Sequence, residues 1–495
     1  MTNGLNFRIS PPGEILPTKK INFEDIWPIG TDKLTVQQLR SLSDSDFRKL
    51  KKLVAKRAVQ SGNSAAFGSS LARQLELKRR RERRTPYSQA ALLAAFKTGE
   101  ILDALVPNRR SRWRPVFRRK LGSKVECTGF SFLDNPMPTY QSLISMAEAD
   151  CDALHYRIDF LDEYVTDIGP YLVFGIMREQ MAPLSAGGTV SGPTRKVLEA
   201  VGLRAFLRMK PFQGVTTDDV WPLPVMQRRR GGTSSTTNLA AEPSTVEIRA
   251  DEITKRVDSW LEQLDPPSEL TEHGIGRIKS IVTETLNNAE RHGRVGGDGE
   301  WVVAGFMARR PITDDEDAPL VHVCHLGFLN LGRPISETIL EAPTEITEQI
   351  SKYQKVHSRS DLSAETLATV FALQDGISRV LQGNGNPSGG TGLMDMVEFA
   401  NEVGRSSIPG NGPKVAILSG NAYIRFEAPY SEGFGTSDDD RRLQWFNLKN
   451  DVLKKPDSGY VMDLPRAFPG TLITMRFVLD GSLQTENLDD DNGEG

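Results

Sequence analysis

Cysteine and histidine are scarce in this chain, with three and six in 495 residues. Cys127, Cys151 and Cys324 are far apart and match no zinc spacing, which argues against a disulfide framework or a Cys/His metal site and leaves core thiols. Long apolar runs are missing as well. None approaches the ~20 residues of a spanning helix, and the opening MTNGLNFRISPPGE lacks a signal peptide's apolar core, so the expected location is the cytoplasm, off the membrane. There is no internal repeat, so the two halves of the chain are expected to be different folds. Aromatics are few, at 7%, but 38% hydrophobic and 25% charged residues suit a soluble chain of about two or three domains.

Net charge is also small, at -3, yet the charges are segregated. From Arg48 to Arg84 thirteen Lys or Arg face only Glu76 and Glu82, and Asn108 to Lys124 holds eight more with no acid, beside Trp113 and Phe117. Such segments suit a solvated helix, a protein partner, or nucleic-acid phosphates and bases. The expected layout is a basic, partly disordered region over 1–84, an α/β domain over 85–225 and a Gly/Ser/Thr/Arg-rich linker over 226–248. A nucleotide-binding domain over 249–480 and an acidic disordered tail over 481–495 complete it.

The richest segment is IGRIKSIVTETLNNAERHG, 275–293. Ile275, Ile278, Ile281, Val282, Leu286 and Ala289 recur every three or four residues, so the stretch reads as a helix with one buried face. Glu284, Asn288 and His292 fall at i, i+4 and i+8 and form a polar line at the edge of that face. Two strand-like runs follow (300–310 and 320–332), then a helical region (365–382). Next comes GNGNPSGGTGLMDMVEFANEVG, a glycine-rich loop entering an apolar helix, and strand-like segments close the domain. Gly383, Gly385, Gly389, Gly390 and Gly392 can turn backbone N–H groups toward an anion, helped by the positive end of the helix dipole. No lysine follows as in a P-loop, and no first parallel strand precedes as in a Rossmann loop.

This ordered set resembles the GHKL ATPases, the histidine-kinase-like family. Glu284 to Gly293 is similar to the N-box in its anti-sigma-kinase form, E-x-x-x-N-A-x-x-H-G. Ser388-Gly389-Gly390-Thr391-Gly392-Leu393 resembles the G2 box, and Pro469-Gly470-Thr471-Leu472 the closing strand. The resemblance implies a two-layer α/β sandwich, with helices on one face of a mostly antiparallel sheet. It implies ATP and Mg²⁺ as cofactors, Asn288 as the metal ligand and Glu284 as the catalytic base. The nucleotide would contact Asn288, His292, Asn330, Gly332, Gly389, Gly390, Thr391, Gly392, Leu393 and Thr471. The family's G1 aspartate has no counterpart. Two registers stay open, His325-Leu-Gly327 and Asn330-Leu-Gly332-Arg333-Pro334-Ile335, of which the second leaves a full strand before the motif.

In the N-terminal half, ALHYRIDFLDEYVTDIGPYLVFGIMREQM (153–181) reads as strand, turn and helix. It resembles a STAS domain, the fold of anti-sigma-factor antagonists, with Asp167-Ile168-Gly169 at the switch position but no phosphorylatable serine there. The expected function is a slow ATPase acting as a nucleotide-dependent switch in a bacterial-type regulatory or defence system. A Ser/Thr protein kinase of a partner, or a non-catalytic nucleotide sensor or nucleic-acid-associated module, are the alternatives. A regulatory protein partner is expected, nucleic acid is open through 48–84 and 108–124, and a homodimer is left open.

Overall fold

The computed structural model describes residues 39, 42–60, 62, 64–65, 68–73, 75–76, 96, 98–114, 120, 122–153, 156–181, 187–228, 245–292, 300–311, 320–375, 377, 392–404, 411–431, 434–435 and 442–479. The fold is mixed α/β. Helix α1 (Asp44–Gln60) opens with Ser43, whose hydroxyl accepts the Asp46 N–H, and buries Phe47, Leu50 and Val54 in a small core with Leu39, Leu42 and Leu75. Part of the region expected to be disordered is thus helical. Its opposite face exposes Arg48, Lys49, Lys52 and Lys56.

The next module holds α2 (Glu100–Leu105), α3 (Arg109–Arg112), β1 (Ser123–Cys127), α4 (Pro136–Asp152) and β2 (Tyr156–Phe160). Strands β1 and β2 pair in parallel with α4 as the crossover. Helices α5 (Gly169–Gln180), α6 (Gly192–Ala200) and α7 (Leu203–Phe206) follow. The strand–turn–helix reading of 153–181 corresponds to β2 and α5.

Strand β3 (Val220–Arg228) corrects the expected layout. It pairs antiparallel with β4 (Glu300–Pro311) from Val220↔Ala308 to Arg228↔Trp301, so the boundary placed between 225 and 226 falls inside a strand of the main sheet. Met226, Gln227 and Arg228, read as linker, need only backbone pairing to join that edge. The intervening residues 229–244 lie outside the described residues.

After helices α8 (Val246–Leu261) and α9 (Glu272–His292) come β4, β5 (Leu320–Leu331), α10 (Ile335–Ile339), α11 (Thr344–Val356) and α12 (Ala364–Ala372). Then follow α13 (Gly392–Val403), β6 (Lys414–Phe426), the short pair β7 (Phe434–Gly435) and β8 (Arg442–Leu443), and β9 (Val461–Leu479). The five-stranded sheet runs β3-β4-β5-β9-β6, and every pairing in it is antiparallel.

Alternation along these strands serves two cores. Val303, Met307, Cys324, Leu326, Phe328, Ile473 and Met475 face a helical layer that includes α8, α9 and α13. Val302, Ala304, Phe306, Leu329, Leu331 and Leu472 face the N-terminal module. The expected two-layer sandwich therefore has a third layer. Gly327 permits the approach of α5, because a Cβ there would lie 2.8 Å from Leu172 Cδ1 and 2.9 Å from Ile168 Cγ2. Polar contacts join the layers: Asp134 takes Arg476 at 2.9 Å and Lys414 at 3.0 Å, and the Tyr423 hydroxyl donates to the Phe132 carbonyl at 2.6 Å.

The basic segment 108–124 is partly neutralised where it is described. The Arg109 guanidinium is fully buried, 2.9 Å from Asp150, with the rings of Phe96 and Trp113 centred 5.0 and 5.3 Å away. Arg112 meets Glu148 at 3.1 Å and Arg114 meets Asp152 at 3.2 Å. Acids from α4 are near in space though distant in sequence, so they engage Arg109, Arg112 and Arg114, while Arg110 and Lys120 remain exposed. The three cysteines are buried and free. Among the described residues no helix is long and apolar enough to cross a membrane.

Candidate functional site

Helix α9 starts at Thr271, whose hydroxyl accepts the Gly274 N–H at 3.1 Å. Ile278, Ile281, Val282, Leu286 and Ala289 are buried as the periodicity predicts, whereas Ile275 remains exposed at the first turn. At the far end the Trp301 indole N–H donates to Glu290 at 3.0 Å, and Arg228 pairs with the same carboxylate, so α9 is tied to β4 and β3. Glu290, inside the motif, is therefore structural.

Two members of the polar line on α9 face a cavity of about 720 Å³. Glu284 and Asn288 line it from α9; Trp301, Val303, Phe328, Asn330, Thr471 and Ile473 form its sheet side. Thr338, Ile339, Ala372, Leu373 and Ile377 close the opposite side, and Leu393 enters from the first turn of α13. Residues separated by nearly two hundred positions thus meet in one concave, mostly apolar space of ligand size.

The two positions left open in the sequence, His325 and Asn330, separate cleanly. Asn330 points to the cavity face of β5 and its Oδ1 accepts the Thr471 N–H at 2.7 Å. His325 is fully buried on the opposite face, stacked on Phe306 with ring centroids 4.6 Å apart, and neither ring nitrogen has a hydrogen-bond partner among the described residues. Burial first, then Arg310 and Arg476, hold its pKa well below the usual histidine value, so it is a neutral core residue. Gly470 has φ +131°, and a Cβ there would lie 2.2 Å from the Asn330 carbonyl, so glycine lets β9 approach β5 beside Thr471. The Ser419 hydroxyl contacts Thr471 Oγ1 at 2.9 Å and Gly470 O at 3.2 Å, and accepts the Ile335 N–H at 2.8 Å.

Other expected residues fall elsewhere. Gly332 does not line the cavity; its φ is +135° and its N–H donates to Pro469 O at 3.3 Å, which makes it a turn residue after β5. Gly392 begins α13. Gly389, Gly390 and Thr391, like the side chain of His292, lie outside the described residues.

Three cations at the cavity were missed. Lys279, Arg291 and Arg333 line it; Lys279 pairs with Asp251 at 3.2 Å and Arg333 with Glu341 at 2.6 Å, while Arg291 makes no ion pair with a described residue. Arg291 was legible, since it stands at i+7 from Glu284 and three after Asn288, on the same helical face. With Glu284 the one carboxylate among the described lining residues, the charge balance there suits an anionic ligand. Among the described residues no group of three or more His, Cys, Asp or Glu could hold a metal alone. Mg²⁺ fits nonetheless: it is commonly held by one or two protein oxygens with ligand phosphates and water completing the octahedron, and the exposed Asn288 amide offers such an oxygen. Comparison with family models, curated proteins and solved structures gives no match.

Proposed function

We propose that the cavity binds a Mg²⁺–purine nucleoside triphosphate, ATP by the resemblance, and that the chain is a GHKL-type nucleotide-dependent switch with slow hydrolysis. The supporting observation is that Glu284, Asn288, Asn330 and Thr471 line one cavity. The base lies toward Asn330 and Thr471, and the phosphates toward Asn288 and Arg291. Bound Mg²⁺ supplies charge neutralisation for the phosphates and is held by Asn288. Glu284, one turn earlier, accepts the proton of the attacking hydroxyl or water. The STAS-like module, as we read it, packs against the sheet whose other face carries the ligand, so closure around the nucleotide is felt in that layer.

The test is calorimetric titration of the full chain with ATP and other nucleoside triphosphates, with and without Mg²⁺, followed by phosphate-release and partner-phosphorylation assays. Mg²⁺-dependent binding with slow release is expected. Absence of nucleotide binding at millimolar ligand overturns the reading.

A further inference from the structure

We infer that, independently of the cavity's ligand, the loop joining β8 to β9 is a docking surface for residues 481–495 of a second copy of this chain, so that two chains hold each other by exchanging acidic segments. Three of the ten large apolar side chains exposed among the described residues fall within six positions of this loop: Leu448 at 86%, Leu453 at 65% and Val452 at 38%. They are held out rather than left loose. The buried Asn447 side chain accepts the Asp451 N–H and donates to Asp451 O, each at 3.0 Å, and Asn450, at φ +45°, accepts the Trp445 N–H at 2.7 Å and donates to Leu443 O at 2.8 Å. Trp445 and Phe446 bury the base of the loop. His357 Nε2 bonds Val452 O at 2.9 Å, which sets the end of α11, with its exposed Val356, against the same loop.

Around these side chains the charge is positive. Over 352–361 and 447–457 six Lys or Arg meet three Asp, and six minus three leaves +3 within a chain of net -3. Lys449 and Lys454 on the loop and Lys352 and Lys355 on α11 are exposed and make no ion pair with a described residue. The Asp451 carboxylate takes the Leu453 N–H at 2.8 Å, and Asp361 is held by Lys455 at 3.1 Å. The occupant this surface suits is apolar and acidic at once. The chain contains such a segment. Residues 481–495, GSLQTENLDDDNGEG, which lie outside the described residues, carry Leu483 and Leu488 among five acids with no Lys or Arg. The basic face of α1 would offer charge, but Val59 is that helix's one exposed large apolar side chain, so the leucines select the loop.

Reach makes the exchange intermolecular. The loop sits at the Val461 end of β9, where the Asp457 N–H donates to Phe446 O at 2.7 Å and the Val461 N–H to Asp457 O at 2.9 Å. Strand β6 pairs with β9 from Ile424↔Val461 to Lys414↔Arg476, and Leu479 lies three residues further on. Thirteen residues of strand at about 3.3 Å each put the two ends of β9 roughly 40 Å apart. Leu488, nine residues after Leu479, reaches at most ~32 Å. A chain's leucines therefore fall short of its own loop, and a second copy supplies them, each chain giving and receiving one segment as two-fold symmetry requires.

The experiment is light scattering of the full chain from micromolar to hundreds of micromolar, at low and high salt, on wild type, Leu448→Ser, Lys449→Gln/Lys454→Gln and Leu488→Ser. A labelled peptide of residues 481–495 is titrated into the Leu488→Ser and Leu448→Ser chains in parallel. Expected is a concentration-dependent dimer of the wild type that weakens with salt, and association weaker by about tenfold or more in each variant. The peptide should bind Leu488→Ser about tenfold more tightly than Leu448→Ser. Unchanged urea midpoints show that the variants are folded. A wild type that stays monomeric over the whole range overturns the proposal, as does a dimer that survives Leu448→Ser. Loss in Leu448→Ser with full association in Leu488→Ser gives the loop to another face of the second copy and overturns the exchange. A monomeric wild type that sediments with phosphatidylserine vesicles gives it to a lipid surface and overturns the exchange as well.

Discussion

Thr474 on β9 donates its hydroxyl hydrogen to the Asp167 carboxylate across the join between the main sheet and the N-terminal module. Asp167 also takes the N–H groups of Phe132 at 2.7 Å and Gly169 at 2.8 Å, and is wholly buried. Burial outweighs these bonds and pushes its pKa up to about 6. At the neighbouring Asp134 burial is outweighed by Arg476 and Lys414, which hold that carboxyl below its usual value.

The two acids act on stability with opposite signs. For Asp167 the folded pKa is raised, so its contribution is complete below the ordinary aspartate pKa of about 3.9 and is lost as pH climbs through about 6. Asp134 contributes above its ordinary pKa and loses that as pH falls. A shift of about two units corresponds to roughly 3 kcal/mol. The stability of the wild type minus that of Asp167→Asn, from urea denaturation, should therefore be roughly 2 kcal/mol greater at pH 4 than at pH 7. A difference that does not change with pH would remove Asp167 as the titrating group.

Asn288→Ala should abolish the Mg²⁺-dependent part of nucleotide binding without unfolding the chain, because the side chain is exposed at the cavity wall and packs in neither core. Glu284→Gln keeps shape and removes the proton acceptor, so turnover should fall about 10²–10⁴-fold with binding retained. Calorimetry and phosphate release on the same preparations separate the two. Equal loss of binding in both variants would contradict the division of labour.

Arg442 joins two sides of the cavity without lining it. Its Nε is 2.6 Å from Asp375, just after α12, and its Nη2 is 2.6 Å from Asp395 in the first turn of α13; Glu398, which it also contacts, is shared with Arg277 on α9. Removing it in Arg442→Met should cost about 2–3 kcal/mol of stability, allowing for its partial exposure, and weaken Mg²⁺–nucleotide binding about tenfold through displacement of Leu393. Lys455→Met, which breaks a pair with the exposed Asp361, is the control and should leave both unchanged. Unaltered affinity in Arg442→Met at reduced stability would restrict the cluster to packing.

The α9 motif was legible because all its members lie on one helix, where spacing alone fixes the face. Asn330 and Thr471 needed the sheet: they are pairing partners in β5 and β9, a relation no local pattern reports. The third layer left a trace in WVVAGFM, apolar at both odd and even positions, as a strand buried on both faces must be. The acids that pair with Arg109, Arg112 and Arg114 lie on α4, and the strand character of Gln227 and Arg228 comes from β4, so at these residues composition points to free charge and linker where tertiary pairing supplies order.

Arg109 gives the sharpest test of that last point. Its guanidinium and the Asp150 carboxylate are both fully buried, 2.9 Å apart, while Asp103 lies 3.6 Å away on the more exposed side. Arg109→Met keeps much of the volume between Phe96 and Trp113 but strands the Asp150 charge, which should destabilise the chain by about 3–5 kcal/mol. Adding Asp150→Leu removes the stranded charge and should recover most of that loss, since an apolar pair of similar volume commonly replaces a buried ion pair without penalty. Denaturation of the wild type, the single variant and the double variant measures the cycle. In parallel, the dependence of any DNA or RNA binding on log salt should keep its slope in Arg109→Met, because no phosphate reaches that side chain. A shallower slope at unchanged stability would return Arg109 to the surface and restore the nucleic-acid reading of its segment.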